Sequence, residues 1–90
     1  MAIMAVFHAQ GMTAAQYDEA IRRLEESGEG APQARRFHVA AVLDDETFSV
    51  DVWESEEALA RFGAVLAPIV AALGLTPPQP EVYPVHDITA

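Results

Sequence analysis

The sequence contains no cysteine and no lysine, and both absences restrict what the protein can do. Without cysteine there can be no disulfide, no thiolate ligand for a metal and no thiol nucleophile. Arginine supplies all five basic side chains against fourteen acidic ones, which gives a formal net charge of −9. Because a surface of that charge repels phosphate backbones and anionic lipid headgroups, we expect neither nucleic acid nor a membrane as a partner.

Long hydrophobic runs are lacking as well. The first residues, MAIMAVF, include no basic side chain and are too few for a signal peptide or a membrane span. We therefore expect a cytoplasmic protein. Ninety residues, of which 51% are hydrophobic, are typical of one globular domain, here residues 1–90.

The first half of the chain has the pattern of a strand followed by a helix. Residues 2–9 form an apolar run of strand length. Apolar side chains then recur with helical spacing and predict an amphipathic helix over about residues 14–27. Thr13 and Gln16 match a capping box at its start, and Gly28 is suited to end it.

The second half predicts a β-hairpin, a helix and a last strand. The strands RFHVAAVL and TFSVDVW are separated only by a short acidic turn. Ser55 is a suitable N-cap for the second helix, and Pro68 predicts a break in it near residue 67. Gly74 predicts the end of that helix. The segment EVYPVHDI predicts a strand in which Pro84 requires an edge or bulge position.

The element order β-α-β-β-α-β predicts a ferredoxin-like α+β fold, in which both helices cover one face of an antiparallel sheet. The strands, however, are apolar on both faces, and two helices can cover only one of them. A second copy of the chain is the simplest cover for the other face, so we expect a homodimer. The alternative is a monomer with an unusually apolar open face.

The hairpin sequence also predicts which side chains share a face. With Asp45 and Glu46 as the loop, His38 lies opposite Trp53, and Asp51 lies opposite an alanine. This pairing collects the polar side chains of the hairpin on one side of the sheet. One face then holds Phe37, Val39, Ala41, Leu43, Phe48, Val50 and Val52, and the other holds His38, Ala40, Val42, Ser49, Asp51 and Trp53.

The stretch FSVDVWESEEALARF, residues 48–62, resembles the dimeric α/β-barrel superfamily in its antibiotic-biosynthesis-monooxygenase-like branch, which includes many short actinobacterial proteins. The resemblance implies a ferredoxin-like protomer whose sheet packs on a partner's sheet, with a cavity between sheet and helices. Some members oxidise polycyclic aromatic substrates with oxygen and no cofactor, and others degrade haem. Asp51 and Trp53 match the family's acid and aromatic residue, which tend to face the cavity. Where many members have a histidine, nine residues after the aromatic, this chain has Phe62.

The candidate site residues follow from these patterns. Asp51 and His38 are candidate catalytic bases, because a carboxylate in a half-buried strand and an adjacent imidazole can both accept a proton. Trp53 could stack on a flat ligand, and we expect Phe62 and Tyr17 to contribute to the same binding surface. Each of these residues also has a structural interpretation. Asp51 could form an ion pair with an arginine or a bond to a helix terminus. His38 could be a satisfied surface or interface histidine, and Trp53 a core residue. The arginines in question are Arg35, Arg36 and Arg61.

No motif of a cofactor or metal site is present in the sequence. Glycine-rich phosphate loops, HExxH and a closely spaced two-histidine-one-carboxylate set are all missing, so we expect no cofactor. Two functions remain open. The protein is a cofactor-independent, monooxygenase-like enzyme that acts on a small apolar or aromatic molecule in a cavity between sheet and helices, or it is a non-catalytic dimeric module that binds a small molecule or serves as an accessory protein.

Overall fold

The computed structural model describes residues 1–89, in which four strands form one antiparallel sheet in the order β2-β3-β1-β4. With two helices added, this is the predicted ferredoxin-like α+β architecture in the predicted element order. The elements are β1 Ile3–Gln10, α1 Ala14–Glu26, β2 Arg35–Val42, β3 Glu46–Trp53, α2 Glu56–Ala72 and β4 Glu81–Pro84. Within the described residues, neither helix combines the length and apolarity needed to cross a bilayer.

The ends of both helices are set by the residues that the sequence indicates. The Thr13 hydroxyl accepts from the Gln16 backbone N–H at 3.2 Å, and the Gln16 side chain accepts from the Thr13 N–H at 2.9 Å, which is a complete capping box. Gly28 follows α1 with a φ of +86°, a left-handed conformation that favours glycine. Ser55 caps α2 by accepting from the Ala58 N–H at 3.1 Å.

The predicted break in α2 is wrong, because the helix runs without interruption from Glu56 to Ala72 with Pro68 inside it. Proline has no N–H to donate to the carbonyl of Ala64, one turn earlier. Both of these residues are exposed, so water can satisfy that carbonyl. The apolar positions on the opposite side stay buried and hold the helix together across the proline.

The predicted register of the hairpin is also wrong, because most β2 residues pair with β3 residues two positions earlier than predicted. The Leu43 N–H donates to the Glu46 carbonyl at 2.7 Å, so the loop lies one residue earlier than predicted. His38 therefore lies opposite Asp51, and not opposite Trp53. A shift of two residues leaves every side chain on the same face, so the predicted division of the hairpin into two faces holds.

The two faces of the sheet differ in what covers them. The face that carries Asp51 and Trp53 packs on the helices, and its main core cluster is formed by Ile3, Ala5, Leu24, Trp53, Ala58, Leu59 and Phe62. We call the opposite side, which no element of the described residues covers, the outer face. It exposes large apolar side chains from two strands and from the β2–β3 loop. These are Phe37, Val39, Leu43 and Tyr83, each 46–50% exposed.

Candidate functional site

The candidate site begins with a row of polar side chains on the helix-facing side of β3. Thr47, Ser49 and Asp51 alternate along this strand and point toward the helices. The Thr47 hydroxyl is buried and donates to the Met12 carbonyl at 3.1 Å, which fixes the loop after β1. Asp51 is only 2% exposed, so its carboxylate needs hydrogen-bond donors close by.

Asp51 has two such donors, one for each oxygen. The Trp53 indole N–H donates to Oδ2 at 3.2 Å, and Nδ1 of His38 is hydrogen-bonded to Oδ1. Nε2 of His38 is in turn 2.7 Å from the Tyr17 hydroxyl. We call the hydrogen-bonded series Tyr17–His38–Asp51 the relay. Within residues 1–89, no buried side-chain oxygen or nitrogen is left without a partner.

The directions of these hydrogen bonds depend on the tautomer of His38 and on the protonation of Tyr17. Burial raises the pKa of its hydroxyl above the ordinary 10.0, Arg35 acts in the opposite direction, and Asp51 raises the pKa further. Tyr17 is therefore a neutral phenol at neutral pH, and its hydroxyl can donate to or accept from Nε2 of His38. In the tautomer that carries its proton on Nδ1, His38 donates to Asp51 and accepts from Tyr17. A series of a hydroxyl, an imidazole and a buried carboxylate is one arrangement that can transfer a proton.

A small cavity lies beside the relay, between the sheet and the helices. Its volume is about 70 Å³, and its walls are mostly apolar. Tyr17, His38, Asp51 and Arg35 supply polar atoms on its lining, together with the hydroxyls of β3. The rest of the lining comes from Phe7, Ala9, Met12, Ala20, Ile21, Leu24, Phe62, Leu66, Val70 and Pro78.

A larger groove of about 390 Å³ adjoins this cavity on the side of α2. It runs between that helix and the proline-rich segment that leads into β4, and it ends near Val82. The two spaces share five wall residues, so they lie side by side. The shared residues are Phe7, Phe62, Leu66, Val70 and Pro78.

Arg35 is a site residue that the sequence did not indicate as such. Between the pairs Arg35–Trp53 and Phe37–Val52, β2 advances by two residues while β3 advances by one. This β-bulge at Arg36 places Arg35, rather than Arg36, on the helix-facing side opposite Trp53. The Arg35 guanidinium lies 5.6 Å from the ring centroid of Phe62, at the cavity wall.

The structure brings four of the five predicted site residues to the cavity. Asp51, His38, Tyr17 and Phe62 all line it. Trp53 instead lies in the core, 1% exposed, with its ring 5.0 Å from Phe62. Its contribution to the site is the indole N–H that orients Asp51. That carboxylate is held by His38 and Trp53, and not by the arginine considered as an alternative.

The sequence contained a partial signal for this arrangement. His38 and Asp51 share a face in any hairpin register of the correct parity, so their proximity could be inferred. The bond from Tyr17 could not, because it depends on how α1 lies across β2. Within residues 1–89, no three histidine, aspartate or glutamate side chains are grouped as ligands for a metal ion.

Two solved structures have the same fold over nearly the whole chain. The first is a variant of SnoaB, a cofactor-independent oxygenase from Streptomyces nogalater, with a TM-score of 0.65 and 15% identity, covering 97% of this chain and 95% of that one. The second is a putative antibiotic biosynthesis monooxygenase from Chloroflexus aurantiacus, with a TM-score of 0.63 and 12% identity, covering 99% and 98%. This likeness shows that the chain shares the fold of these two proteins. No protein-family model matches the sequence, and the comparison with curated proteins gives no significant match.

Proposed function

We propose that the protein is a cofactor-independent, monooxygenase-like enzyme that acts on a small apolar or aromatic molecule. The observation that supports this most strongly is the relay at the wall of an apolar cavity. The fold agrees, since one protein that shares it is described as a cofactor-independent oxygenase. Catalysis without a cofactor needs a base, a water-poor pocket and a substrate that becomes reactive toward oxygen once deprotonated.

The relay provides the base. A substrate proton, from a phenol or from a C–H next to a carbonyl, passes to the Tyr17 oxygen while the Tyr17 proton moves to Nε2 of His38. Asp51 stabilises the imidazolium that results. The substrate anion then reacts with oxygen, and a CH₂ group becomes a carbonyl as O₂ is converted into that carbonyl oxygen and one water. All four electrons come from the substrate, so no other reductant is required.

The size of the cavity limits how the substrate binds. A volume of about 70 Å³ is smaller than the roughly 150 Å³ in which an engineered apolar cavity holds one benzene. An aromatic substrate therefore places its reactive edge in the cavity and most of its rings in the adjoining groove, whose 390 Å³ lies within the usual range for ligand sites. Phe62 forms part of both walls.

We also propose that the enzyme is a homodimer that forms through the outer face. Several large exposed apolar side chains on one face of a sheet are uncommon on a monomer and are typical of an interface. A second copy packed on this face would cover it without obstructing the cavity, which opens on the opposite side of the sheet.

The alternative function is a non-catalytic module that binds a small molecule. The small cavity and the fully satisfied relay favour it, because a complete buried hydrogen-bond network can serve only to specify the core. In that case the groove would hold the ligand and the relay would be structural.

Native mass spectrometry of freshly purified protein, followed by oxygen-uptake assays, distinguishes the two functions. We expect a dimer that retains an apolar adduct, and oxygen uptake with compounds of the same class. A dimer with an adduct but without catalysed oxygen uptake would support the binding module. A monomer would contradict the proposed assembly.

A further inference from the structure

Arg35 differs from most arginines of this protein in having no acidic partner. Among the described residues, Arg22, Arg23 and Arg36 each have a carboxylate oxygen within 4.0 Å, whereas the Arg35 guanidinium has none. Its hydrogen bond to the Gly30 carbonyl is 3.5 Å long and therefore weak. In a chain with fourteen acids and five arginines, such a guanidinium at a cavity wall has donors available for a ligand.

The fold determines that Arg35, and not its neighbour, faces the cavity. A regular strand would have turned Arg36 to the helix-facing side, because His38 lies there and side chains alternate. The bulge exchanges the two arginines. Arg36 is exposed and lies 3.6 Å from Glu54, while Arg35 is held against the face of Phe62.

The electrostatics of the cavity favour an anion beside Arg35. The buried Asp51 carboxylate is close, and a second negative charge in an apolar space would be strongly unfavourable without a compensating cation. Arg35 is the cation on the cavity lining, and it is near enough to lower the pKa of Tyr17 against the effect of burial. The relay and the guanidinium therefore line the same cavity.

We propose that Arg35 is a specificity-determining residue that selects apolar ligands carrying an anionic oxygen, either a carboxylate or the oxyanion of a phenol or enol. A planar guanidinium binds a carboxylate through two parallel N–H···O bonds and a single oxyanion through one or two. The inference rests on the proposed function only in placing the ligand in this cavity, and it can be tested without turnover.

The test uses two probes that share a ring system and differ in charge, 2-naphthoate and 2-naphthylmethanol. Binding to the wild-type protein is measured by isothermal titration calorimetry under nitrogen. We expect the naphthoate to bind about tenfold or more tightly than the alcohol, because a hydrogen bond to a charged group contributes at least a factor of that order. The net charge of −9 acts against this preference, so a preference for the anion would report the local site.

Three variants separate a specific contact from a general effect of charge. Arg35→Met should remove the preference for naphthoate and leave binding of the alcohol almost unchanged. Arg35→Lys, which keeps the charge, should retain part of the preference. Arg36→Met removes the adjacent arginine of the same bulge and is the matched control, for which we expect no change with either probe.

Several outcomes would overturn the inference. These are an equal loss of both probes in Arg35→Met, the same loss of preference in Arg36→Met, or no detectable binding of either probe to the wild type. A failure of the proposed enzymatic function would look different. In that case Arg35 would still select naphthoate, while Asp51→Asn would leave oxygen consumption unchanged.

Discussion

At the scale of single residues, the central feature is a carboxylate buried in the middle of a strand. Asp51 is held there by two donors from different directions, the Trp53 indole and the His38 imidazole. An uncompensated buried charge would cost several kcal/mol, so these two contacts are a condition for placing an acid at this position. The tryptophan two residues later thus stabilises the buried carboxylate by donating a hydrogen bond to it, which is a structural reason for the pattern Asp-x-Trp.

Replacing Asp51 tests how much of this arrangement is structural. In Asp51→Asn the amide group can accept from one donor only, and its NH₂ must face the other. We expect the protein to fold and to lose about 1–3 kcal/mol of unfolding free energy, measured by urea denaturation. The control is Asp44→Asn, an exposed position in the hairpin loop, which should change stability very little. A loss above about 5 kcal/mol would contradict the expectation that the fold tolerates the loss of this charge.

The raised pKa of Tyr17 predicts a loss of stability at alkaline pH. The folded protein binds this proton more tightly than the unfolded chain does. The contribution is therefore fully present below pH 10 and is lost as the pH rises through the higher pKa of the folded state. We expect the melting temperature to fall more steeply above pH 10 in the wild type than in Tyr17→Phe.

The second tyrosine of the chain is the control for that measurement. Tyr83 is 46% exposed in the protomer but lies on the proposed dimer face, so the control is made in the Val39→Glu background, which we expect to be monomeric. There, adding Tyr83→Phe should leave the alkaline fall in melting temperature unchanged. The opposite result, in which only Tyr83→Phe flattens the curve, would contradict the burial of the Tyr17 hydroxyl beside the relay.

At the scale of elements, the sequence predicted types and faces correctly but not the local irregularities. Hydrophobic periodicity and caps identified both helices and all four strands, because burial and capping are read from side chains alone. The hairpin loop was misplaced by one residue. Glu46 was assigned to a polar turn, but it pairs with Gln10 of β1 and accepts from that side chain at 3.1 Å, so tertiary contacts decide its place.

The bulge at Arg36 shows why part of the site could not be predicted. No glycine or proline marks it, and both arginines are equally compatible with either face of an edge strand. Its position is set by how β2 pairs with the end of β3, where the Glu54 N–H donates to the Ala34 carbonyl at 2.9 Å. The sequence therefore indicated the acid and the imidazole of the site, but not its cation.

The continuous α2 helix makes a prediction about Pro68. An internal proline destabilises a helix by about 3 kcal/mol relative to alanine. The ring of Pro68 is exposed to solvent, so burial of the ring does not offset this cost. We expect Pro68→Ala to raise the unfolding free energy by about 1–3 kcal/mol in urea denaturation, less the entropy that proline removes from the unfolded chain. Pro77→Ala, outside the helix, is the control and should not stabilise. A destabilised Pro68→Ala would mean that the helix needs the proline.

At the scale of the whole molecule, the protein has one sheet with two different apolar faces. One packs on the helices and holds the cavity, and the other exposes Phe37, Val39, Leu43 and Tyr83. This distribution agrees with the prediction from the strand sequences, in which both faces of each strand are apolar. The proposed dimer rests on the exposed apolar residues of the outer face. The proposed chemistry rests on the relay and the cavity of the helix-facing side.

A charge placed on each face in turn tests the proposed dimer. Val39 on the outer face and Val42 on the helix-facing side are 50% and 46% exposed, and both belong to β2. We expect Val39→Glu to convert the dimer into a monomer, because it would bury a charge in the interface. Val42→Glu should leave the dimer intact. The assembly is measured by size-exclusion chromatography with light scattering. If both variants remained dimeric, another surface would form the interface.

The proposed enzymatic function depends most on the ability of the relay to remove a proton from an apolar substrate. We would measure this by NMR, as the exchange of the benzylic C–H next to the carbonyl of 2-tetralone in D₂O under nitrogen, where no oxygen chemistry interferes. Positioned acid–base groups accelerate proton transfer by roughly 10²–10⁴-fold. We predict that the wild type accelerates the exchange over buffer on the order of 10²-fold or more, and that Asp51→Asn returns it close to the buffer rate while Asp44→Asn does not. Equal exchange with wild type and Asp51→Asn would contradict the account.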